Sequence, residues 1–521
     1  MAQSSYIPVI VGVADIKNAS LDVTDAAEPV ELMLQAIVAA MKDACPTTPG
    51  QQTLRSSIDS ISVVANWTWP YPNTPQLIRD RLGCCATHLL ESEHGGHSPA
   101  QLFDEAARRI TLGQSHVAIV TGGEALASCK CPDGTPHEAA SNFPPSTWTQ
   151  LQDTTSILDQ PRAEDIGIRH GLSQATQIYP LYEAGFRAHR DQSIADNNLE
   201  SSQLYAEFAR VAASNPNAWR YGKPADTAEV IGTVTRKNRI ICTPYPLLMN
   251  AFNTVNMAAA CILTSTEFAR QIGIPDSRWI YPVGGAGTED HEEVWKRRDY
   301  HSSRSLSSAL DAALAASKLT TDQIDLFDIY SCFPIVPKLA CEHLGLPITA
   351  SSKPRTLIGG LTSFGGAGNN YSLHAITEMV RQLRAARGQN GLVLANGGFL
   401  THHHAICLSR HPREDAMPYP TVNPLPAHLD NNHPRVEECA RGQAIIETYT
   451  VQYGREGSPQ VAFVIGRLQS NGHRFLANAV DEATLEELSS NSTEQIGKTG
   501  WVEFDTRSRR NTFVFKSSSN L

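Results

Sequence analysis

The segment GGLTSFGGAGNNYSLHAITEMVRQLRAARGQNGLVLANGG, residues 359–398, decides the fold of this 521-residue chain. Its middle predicts a helix over Tyr371 to Arg384, which Asn369-Asn370 begins. A short apolar strand, Gly391 to Ala395, follows and ends on Gly397-Gly398. A helix that leads into a short apolar strand is typical of an α/β fold.

The elements around this segment occur twice in the chain. A helix over Leu306 to Ser317 and a strand over Ile324 to Tyr330 precede it. A similar series lies about 270 residues earlier. It consists of strand Ile7 to Ala14, a helix that begins at Pro29, strand Ile58 to Ala65, a helix that begins at Ser98-Pro99, and strand His116 to Thr121. The repetition predicts a duplicated α/β unit whose apolar strands are buried on both faces.

The remaining segments divide the chain into predicted domains. An N-terminal half, 1–250, carries a polar cap or loop domain at about 124–250, and a C-terminal half spans 251–410. A proline-rich linker covers 411–435. Residues 436–521 then show short alternating strands, listed as Ala444–Tyr453, Gln460–Leu468, His473–Asn478, Gly500–Phe504 and Asn511–Phe515, with a helix over Ala483–Leu488. This pattern predicts a small barrel of the OB type.

Composition narrows the class of protein. The net charge of −10 disfavours nucleic acid as a partner, because phosphate binding needs basic patches. No apolar run is long enough to cross a bilayer, and eleven cysteines without a framework spacing suit a reducing compartment. We therefore expect a cytoplasmic or peroxisomal protein. Ser519-Asn520-Leu521 resembles a peroxisomal address, and a plain polar tail is the alternative interpretation.

Four strings resemble the thiolase superfamily over roughly residues 1–410, namely GGHSP at 95–99, DIYSCFP at 328–334, GGLTSFGG at 359–366 and ANGGFLT at 395–401. Residues 442–478 resemble the extra domain of thiolase-like proteins that carry an additional C-terminal domain. The resemblance implies a five-layer α-β-α-β-α core with a central loop domain and an OB-like barrel. It also implies a homodimer.

The chain departs from the thiolase pattern at each catalytic position. Thiolases need a nucleophilic cysteine at a helix N-terminus, an activating Gly-His-Pro histidine and a second cysteine. By the resemblance, these positions fall on Gly96, Gly366 and Asn396, and the Asn-Glu-Ala-Phe motif becomes Tyr330 to Phe333. Acyl transfer through an acyl-cysteine is therefore not expected.

Three consecutive histidines, His402 to His404, follow the Asn396 loop. On a strand, His402 and His404 share one face and His403 lies on the other. We predict His403 as a general base, because the subgroup's pattern resembles Leu-Thr-Lys-His here and imidazole suits neutral pH. A polar strand edge and a zinc site on His402 and His404 are the alternatives, and no metal is expected.

Other candidate residues carry two interpretations each. Tyr330 is a hydrogen-bond donor to an oxyanion, and Cys332 is either a nucleophile or a core residue. His97 and Asn396 are further catalytic candidates at the pocket. His97 and Ser98 form a nucleophile pair without a third orienting group, or Ser98 simply caps its helix. His374 is expected to be a core histidine. The predicted substrate-binding residues are Ser98, Gly366, Asn369, Asn370, Gly397 and Gly398, whose glycine amides can form an oxyanion hole or tight turns.

These features predict a non-cysteine enzyme that acts on acyl or β-ketoacyl thioesters. The reaction is acyl transfer, lactone or pyrone-type cyclisation of a polyketide-like chain, or retro-aldol cleavage. No cofactor is expected, and the substrate is a thioester of CoA or of a carrier protein. The alternative is a non-catalytic acyl-binding or scaffold protein.

Overall fold

The computed structural model describes residues 6–20, 22–129, 148–149, 165–429 and 433–515. The predicted peroxisomal address at 519–521 and two parts of the predicted cap, 130–147 and 150–164, lie outside these residues. The described strands are β1 (Pro8–Lys17), β2 (Ser60–Val63), β3 (His88–Glu91), β4 (Val117–Ala125), β5 (Ile240–Cys242), β6 (Tyr245–Pro246), β7 (Asn256–Ser265), β8 (Tyr281–Glu289), β9 (Leu326–Ile329), β10 (Asn390–Gly397), β11 (His402–Ser409), β12 (Gly442–Tyr453), β13 (Pro459–Leu468), β14 (Arg474–Ala479), β15 (Thr499–Asp505) and β16 (Arg510–Val514).

The described helices are α1 (Pro29–Ala44), α2 (Thr48–Ser56), α3 (Thr74–Leu82), α4 (Ser98–Thr111), α5 (Ile166–His170), α6 (Ala175–His189), α7 (Ile194–Ser214), α8 (Ala228–Gly232), α9 (Thr266–Gln271), α10 (Arg304–Ser317), α11 (Ile335–Leu344), α12 (Tyr371–Arg384) and α13 (Glu482–Leu488). Several of these helices begin at residues that favour a helix start. Pro29 occupies the first turn of α1, where its missing N–H has no intrahelical role. None of these helices is long and apolar enough to cross a bilayer.

Two sheets of matching order form the core. The first has the order β1-β7-β4-β2-β3, and the second has the order β8-β11-β10-β9. Each sheet contains a parallel pair of strands, β2 with β4 in the first and β9 with β10 in the second. Helices α4 and α12 contact both sheets and lie between them, whereas α1 packs on the first sheet and α10 on the second. The predicted duplication and five-layer core are therefore confirmed.

Three core strands, β3, β7 and β8, are not among the predicted strands. β7 contains a run of alanines, and β8 contains the string GGAG at 284–287. Alanine and glycine have low intrinsic strand propensity, so these segments carry no local strand signal. They become strands through pairing, β7 between β1 and β4, and β8 beside β11.

The C-terminal region is a closed five-stranded barrel. β12 pairs with both β13 and β15, and the circuit continues from β13 through β14 and β16 to β15. The five predicted strands and the helix α13 are all present. Gly472 in the β13–β14 turn has a φ of +72°, which glycine adopts without steric cost. The prediction of an OB-like barrel is confirmed.

The barrel is packed onto the core at several points. β5 extends the barrel sheet by pairing with β12, where Cys242 lies opposite Gln452. The hydroxyl of Thr448 on β12 donates to the carbonyl of Leu181 on α6 at 2.6 Å. These contacts place the barrel beside α6, one of the helices that line a cavity of the core.

Candidate active site

A cavity of about 550 Å³ lies at the ends of strands β9 and β10. Tyr330 and Cys332 follow β9, and Asn396 to Phe399 end β10. Gly95 and Gly96 border the cavity from the loop that enters α4, and Tyr179 borders it from α6. Carboxyl ends of parallel strands meet at one edge of a sheet, which is where α/β proteins usually bind ligands. A cavity of this size can enclose a small acyl chain.

Gly96 and Tyr330 are in direct contact at the start of α4. A Cβ atom built on Gly96 would lie 2.5 Å from the Tyr330 hydroxyl oxygen and 2.6 Å from the Asn396 carbonyl oxygen. Real Cβ atoms do not approach other atoms so closely, so position 96 has no room for a cysteine side chain in this arrangement. The tyrosine hydroxyl occupies the space that a side chain at position 96 would need.

Cys332 is the cysteine that lines the cavity among the described residues. Burial raises the pKa of the Cys332 thiol to about 12. Its sulfur accepts a long hydrogen bond from the Asn396 amide at 3.7 Å. At neutral pH the residue is therefore a neutral thiol and lacks the thiolate that nucleophilic catalysis needs.

The orientation of the Asn396 amide follows from its partner Tyr179. The Tyr179 hydroxyl donates its one proton to the carbonyl of Gly398 at 2.9 Å. It therefore accepts from the Asn396 Nδ2, which lies at 2.8 Å. The Asn396 Oδ1 is left buried and without a hydrogen-bond partner. A free buried acceptor of this kind suits a donor group of a bound ligand.

His402 is the histidine of β11 that faces the cavity. Its Nδ1 lies 2.7 Å from Glu289, its direct cross-strand neighbour on β8. Glu289 also contacts His428, an exposed residue of the 411–435 segment. Burial lowers the pKa of His402, while Glu289 and Glu292 act against this and Arg297 acts with it. The site thus contains an imidazole held by a carboxylate.

His97 supports His402 from the N-terminus of α4. The two rings stack with centroids 4.5 Å apart and planes inclined by 13°. Burial, aided by the nearby histidines 402 and 404, lowers the pKa of His97 to about 3. His97 is consequently neutral, and its Nδ1 is buried without a partner. The neutral ring packs against His402 without charge repulsion.

His403, the predicted general base, lies away from the cavity. It points to the opposite face of β11, where its Nδ1 is 2.9 Å from the Ser305 hydroxyl of α10. Burial lowers the pKa of His403 well below its usual value, and only 1% of the residue is exposed. A general base must reach the substrate, and the structure places His403 outside the cavity wall. The imidazole that meets the cavity is His402.

His404 belongs to a buried network between β11 and α4. Its Nε2 lies 2.8 Å from Asp104, which also accepts from Arg108 at 2.8 Å and from the Tyr419 hydroxyl at 2.6 Å. Burial alone would raise the pKa of Asp104, but His404 and Arg108 lower it. The described residues contain no group of three or more His, Cys, Asp or Glu side chains with metal-site geometry.

The remaining predicted residues divide between the cavity wall and the structural core. Asn369, Gly397 and Gly398 line the cavity. Ser98 does not cap α4, because it is the first helical residue and its hydroxyl donates to the carbonyl of Glu93. The Gly366 amide donates to Phe252 and is not free for an oxyanion.

Asn370 and His374 lie in the buried interior beside the cavity. The Asn370 amide donates to the carbonyl of Gly122 at 2.8 Å, so it binds the core rather than a ligand through that group. His374 is fully buried, and its Nδ1 contacts Asp15. The interpretation of His374 as a core histidine agrees with this position.

Sequence reasoning did not find Glu289, Tyr179 or Arg297. Glu289 lies on the unpredicted strand β8, and Tyr179 lies on α6, which carried no motif. Arg297 is buried and donates to the Thr401 hydroxyl and the Leu400 carbonyl, each at 2.9 Å. Each acts through a contact between segments far apart in the sequence, which periodicity does not reveal.

Comparison with known proteins identifies both parts of the chain. Residues 424–507 match the thiolase-like protein type 1 additional C-terminal domain. A solved monomeric SCP2-thiolase-like protein type 1 from Mycobacterium smegmatis is 30% identical, with a TM-score of 0.78 over 98% of this chain and 99% of that chain. No curated protein matches the sequence.

Two further solved structures share the fold at lower identity. The Ltp2-ChsH2(DUF35) aldolase is 18% identical, with a TM-score of 0.56 over 78% of this chain and 99% of that chain. An acetyl-CoA acetyltransferase from Syntrophomonas wolfei is 14% identical, with a TM-score of 0.53 over the same shares. At these identities the likeness establishes the fold alone.

Proposed function

This chain belongs to the family of SCP2-thiolase-like proteins of type 1, and from that premise we propose that it is an enzyme that acts on acyl or β-ketoacyl thioesters without a catalytic cysteine. The observation that carries the proposal is the pairing of His402 with Glu289 at a cavity whose nucleophile position, Gly96, is closed by Tyr330. The site offers a base and hydrogen-bonding groups, but no thiolate.

His402 is the proposed general base. A carboxylate beside Nδ1 favours the tautomer with the proton on that nitrogen, which leaves Nε2 free to accept a proton. The lowered pKa of His402 keeps the ring neutral at physiological pH, so the base is in its active form. A positioned base of this kind accelerates proton transfer by about 10²–10⁴-fold.

Tyr330 and Asn396 are the proposed groups that hold the substrate oxygens. Burial raises the pKa of Tyr330 well above 10, so its hydroxyl is a proton donor at neutral pH. It can stabilise negative charge on a thioester carbonyl or an enolate. The unpartnered Asn396 Oδ1 complements this as an acceptor for a substrate hydroxyl or amide.

Three reactions need this combination of base and donor and no acyl-enzyme. In acyl transfer, the base deprotonates an external nucleophile. In lactone or pyrone-type cyclisation of a polyketide-like chain, it deprotonates an internal hydroxyl or enol. In retro-aldol cleavage, it deprotonates the β-hydroxyl, and the donor stabilises the enolate that leaves. The aldolase and the acetyltransferase share the fold with this chain, and that likeness does not choose among the three reactions.

The alternative function is a non-catalytic acyl-binding or scaffold protein. It is favoured by the closed position at Gly96 and the neutral thiol of Cys332. An acyl-binding protein needs only the apolar cavity. It does not need the histidine–carboxylate pair at the cavity wall, which is why we favour the enzyme.

The test is turnover of a panel of β-ketoacyl, β-hydroxyacyl and polyketide-like thioesters, as CoA and as pantetheine derivatives. Thiol release and carbon products are followed by mass spectrometry, together with the intact mass of the protein. We expect thiol release or chain cleavage without an acyl adduct on the protein. Saturable binding with intact thioesters throughout would establish the scaffold function instead.

Variants assign the residues. His402→Ala is expected to lower kcat by about 10²-fold or more, as removal of a general base does. Tyr330→Phe is expected to lower kcat and to retain the fold, because the ring still packs against Tyr371. His343→Gln is the matched control, because His343 pairs with Asp311 at the surface. An acyl adduct on Cys332 during turnover would contradict the proposed chemistry.

The oligomeric state and the carrier are further proposals. The resemblance to thiolases implies a homodimer, whereas the solved relative from Mycobacterium smegmatis is monomeric. The homodimer stays a prediction, which light scattering after size-exclusion chromatography can decide. The panel above distinguishes CoA from a carrier-protein arm, and no cofactor is part of the proposed chemistry.

A further inference from the structure

Arg474, the first residue of β14, extends from the barrel to the cavity wall. Its side chain has no exposed surface. Its guanidinium donates to the carbonyl oxygens of Trp295 at 3.0 Å and Arg298 at 3.2 Å, and also to that of Arg297. The barrel therefore binds three carbonyl groups within four consecutive residues of the core.

Glu447 on β12 fixes Arg474 from within the barrel. The Arg474 Nε donates to one carboxylate oxygen at 2.7 Å, and an Nη donates to the other. All five N–H groups of the guanidinium are thus engaged, and the group also stacks on the Tyr300 ring at 5.1 Å. A planar fork with every donor used has one orientation, so it holds its partners in one place.

The segment held by Arg474 forms part of the cavity. Glu292, Glu293, Val294 and Trp295 line the cavity directly. Arg297, two residues further along the chain, is itself buried. A displacement of this segment would change the shape of the cavity and the position of Arg297 together.

Arg297 extends the connection to the loop before His402. Its guanidinium donates to the carbonyls of Phe399 and Leu400 and to the Thr401 hydroxyl, at 3.4, 2.9 and 2.9 Å. Phe399 and Thr401 line the cavity, and Thr401 directly precedes His402. Two buried arginines, Arg474 and Arg297, therefore connect barrel strands β12 and β14 to the loop that precedes His402, the proposed general base.

We propose that the C-terminal barrel is a positioning domain of the active site, and that Arg474 is the positioning residue that sets His402 through Arg297. The inference rests on the proposed function for its catalytic consequence, but the structural coupling stands independently of turnover. The proposal gives the barrel a role in the active site. Among the residues that the structure describes, none of those that line the cavity belongs to the barrel.

The alternative is that the barrel is only docked on the core. Other contacts serve docking without touching the cavity wall. Arg187 of α6 pairs with Glu494 of the barrel, and Thr448 binds the carbonyl of Leu181. These contacts provide a matched comparison, because their loss would weaken docking but leave the carbonyls of residues 295–298 in place.

The experiment compares Arg474→Lys and Glu447→Gln with the docking control Glu494→Gln in the full chain. Lysine keeps the charge at position 474 but cannot form the planar fork. Glu447→Gln keeps Arg474 and removes the charge that orients it, so it serves if the lysine variant fails to fold. Each protein is assayed for kcat and KM, and the His402 resonances are titrated by NMR without substrate.

Two readouts separate positioning from docking. We expect kcat to fall about tenfold or more in the Arg474 and Glu447 variants, because small misplacements of catalytic groups are costly. We also expect the titration curve of His402 to shift, because its pKa depends on nearby Glu289, Glu292, Arg297 and Glu93 and on His97. Glu494→Gln should alter neither quantity, even where it lowers stability.

The outcomes distinguish this inference from the proposed function. A shifted His402 titration with loss of kcat supports both. A shifted titration in a protein without turnover of any thioester supports the coupling and contradicts the enzyme. An unshifted titration and an unchanged kcat in folded Arg474→Lys and Glu447→Gln would overturn the positioning role.

Discussion

Two histidine–carboxylate pairs lie on the same face of β11, only two residues apart, and their surroundings differ. His404 and Asp104 are enclosed between β11 and α4, where Arg108 and Tyr419 complete the network. His402 and Glu289 lie at the cavity, and Glu289 is also in contact with the exposed His428. The pairing chemistry is the same in both, but one pair is closed to ligands and the other is open to them.

The difference shows that the surroundings, and not the residue types, assign structural and functional roles. In the closed pair, Asp104 has three partners, and the network joins α4, β11 and the 411–435 segment. In the open pair, His402 keeps one ring nitrogen for a ligand. Gly287, the cross-strand neighbour of His404, belongs to the closed surroundings, since a Cβ at this position would overlap the ring of His404.

The largest expected effect is the loss of stability when the closed pair is broken. Asp104→Ala leaves Arg108 and His404 buried without their carboxylate, and we expect a loss of about 3–5 kcal/mol in the free energy of unfolding. Glu289→Ala should cost about 1 kcal/mol or less, because this pair is partly solvated. Urea denaturation of both variants measures the contrast. Equal losses would show that the two pairs are not distinct.

The two pairs should affect stability in different pH ranges, an upper window for His402 and a lower window for Asp104. His402 has a lowered pKa, so the folded state resists protonation and loses stability as the pH falls below the unfolded value of about 6.5. Asp104 also has a lowered pKa, so its stabilisation is present above about pH 4 and is lost as the pH falls further.

Denaturant unfolding between pH 3 and pH 8 tests this order. His402→Gln should reduce the change of the free energy of unfolding with pH only in the upper window, just below about pH 6.5. The reduction should be at most about 1.4 kcal/mol per pH unit. Asp104→Asn should reduce the slope only in the lower window. His97 and His403 also have lowered pKa values, so they add to the loss of stability below a pH of about 6.5, and part of that slope remains in His402→Gln. A variant that alters the other window would contradict the assignment.

Chemical accessibility should sharpen the comparison without a substitution. We expect diethylpyrocarbonate to modify His402 at least about tenfold faster than His403 or His404, because buried groups react only after local opening. Peptide mass spectrometry resolves the order, provided that cleavage separates the three sites. Faster reaction of His403 would restore it as the candidate base.

The smallest effect is expected at His428. Its side chain is 81% exposed, so His428→Ala should change the free energy of unfolding by less than about 0.5 kcal/mol. Without the imidazole of His428, Glu289 still pairs with His402. A large loss of stability would mean that the open pair is structural after all.

Much of the fold could be predicted from the sequence because its signals are local. The five barrel strands alternate with period two between turn residues, and α12 begins and ends at the predicted residues Tyr371 and Arg384. β7 and β8 could not be predicted, since alanine and glycine runs become strands only beside their partners. The family resemblance placed Gly96, Tyr330 and Asn396 at one site, and the structure brings them together.

The choice between His402 and His403 marks the limit of sequence reasoning. Strand alternation predicted that they lie on opposite faces, but not which face meets the cavity. That depends on where β11 lies between α4 and α10, and on Glu289 of the unpredicted strand β8. Long-range packing decides this, and the strand sequence carries no record of it.

In the proposed function, His402 acts as the general base in a reaction on a thioester that uses no catalytic cysteine. The most direct measurement is the pH–rate profile of thioester turnover for the wild type, His402→Ala and His403→Ala. We predict that the acidic limb of kcat/KM, the fall in rate at low pH where a general base is protonated, disappears in His402→Ala and persists in folded His403→Ala. A profile that persists in His402→Ala, or an acyl adduct on Cys332 during turnover, would contradict the claim.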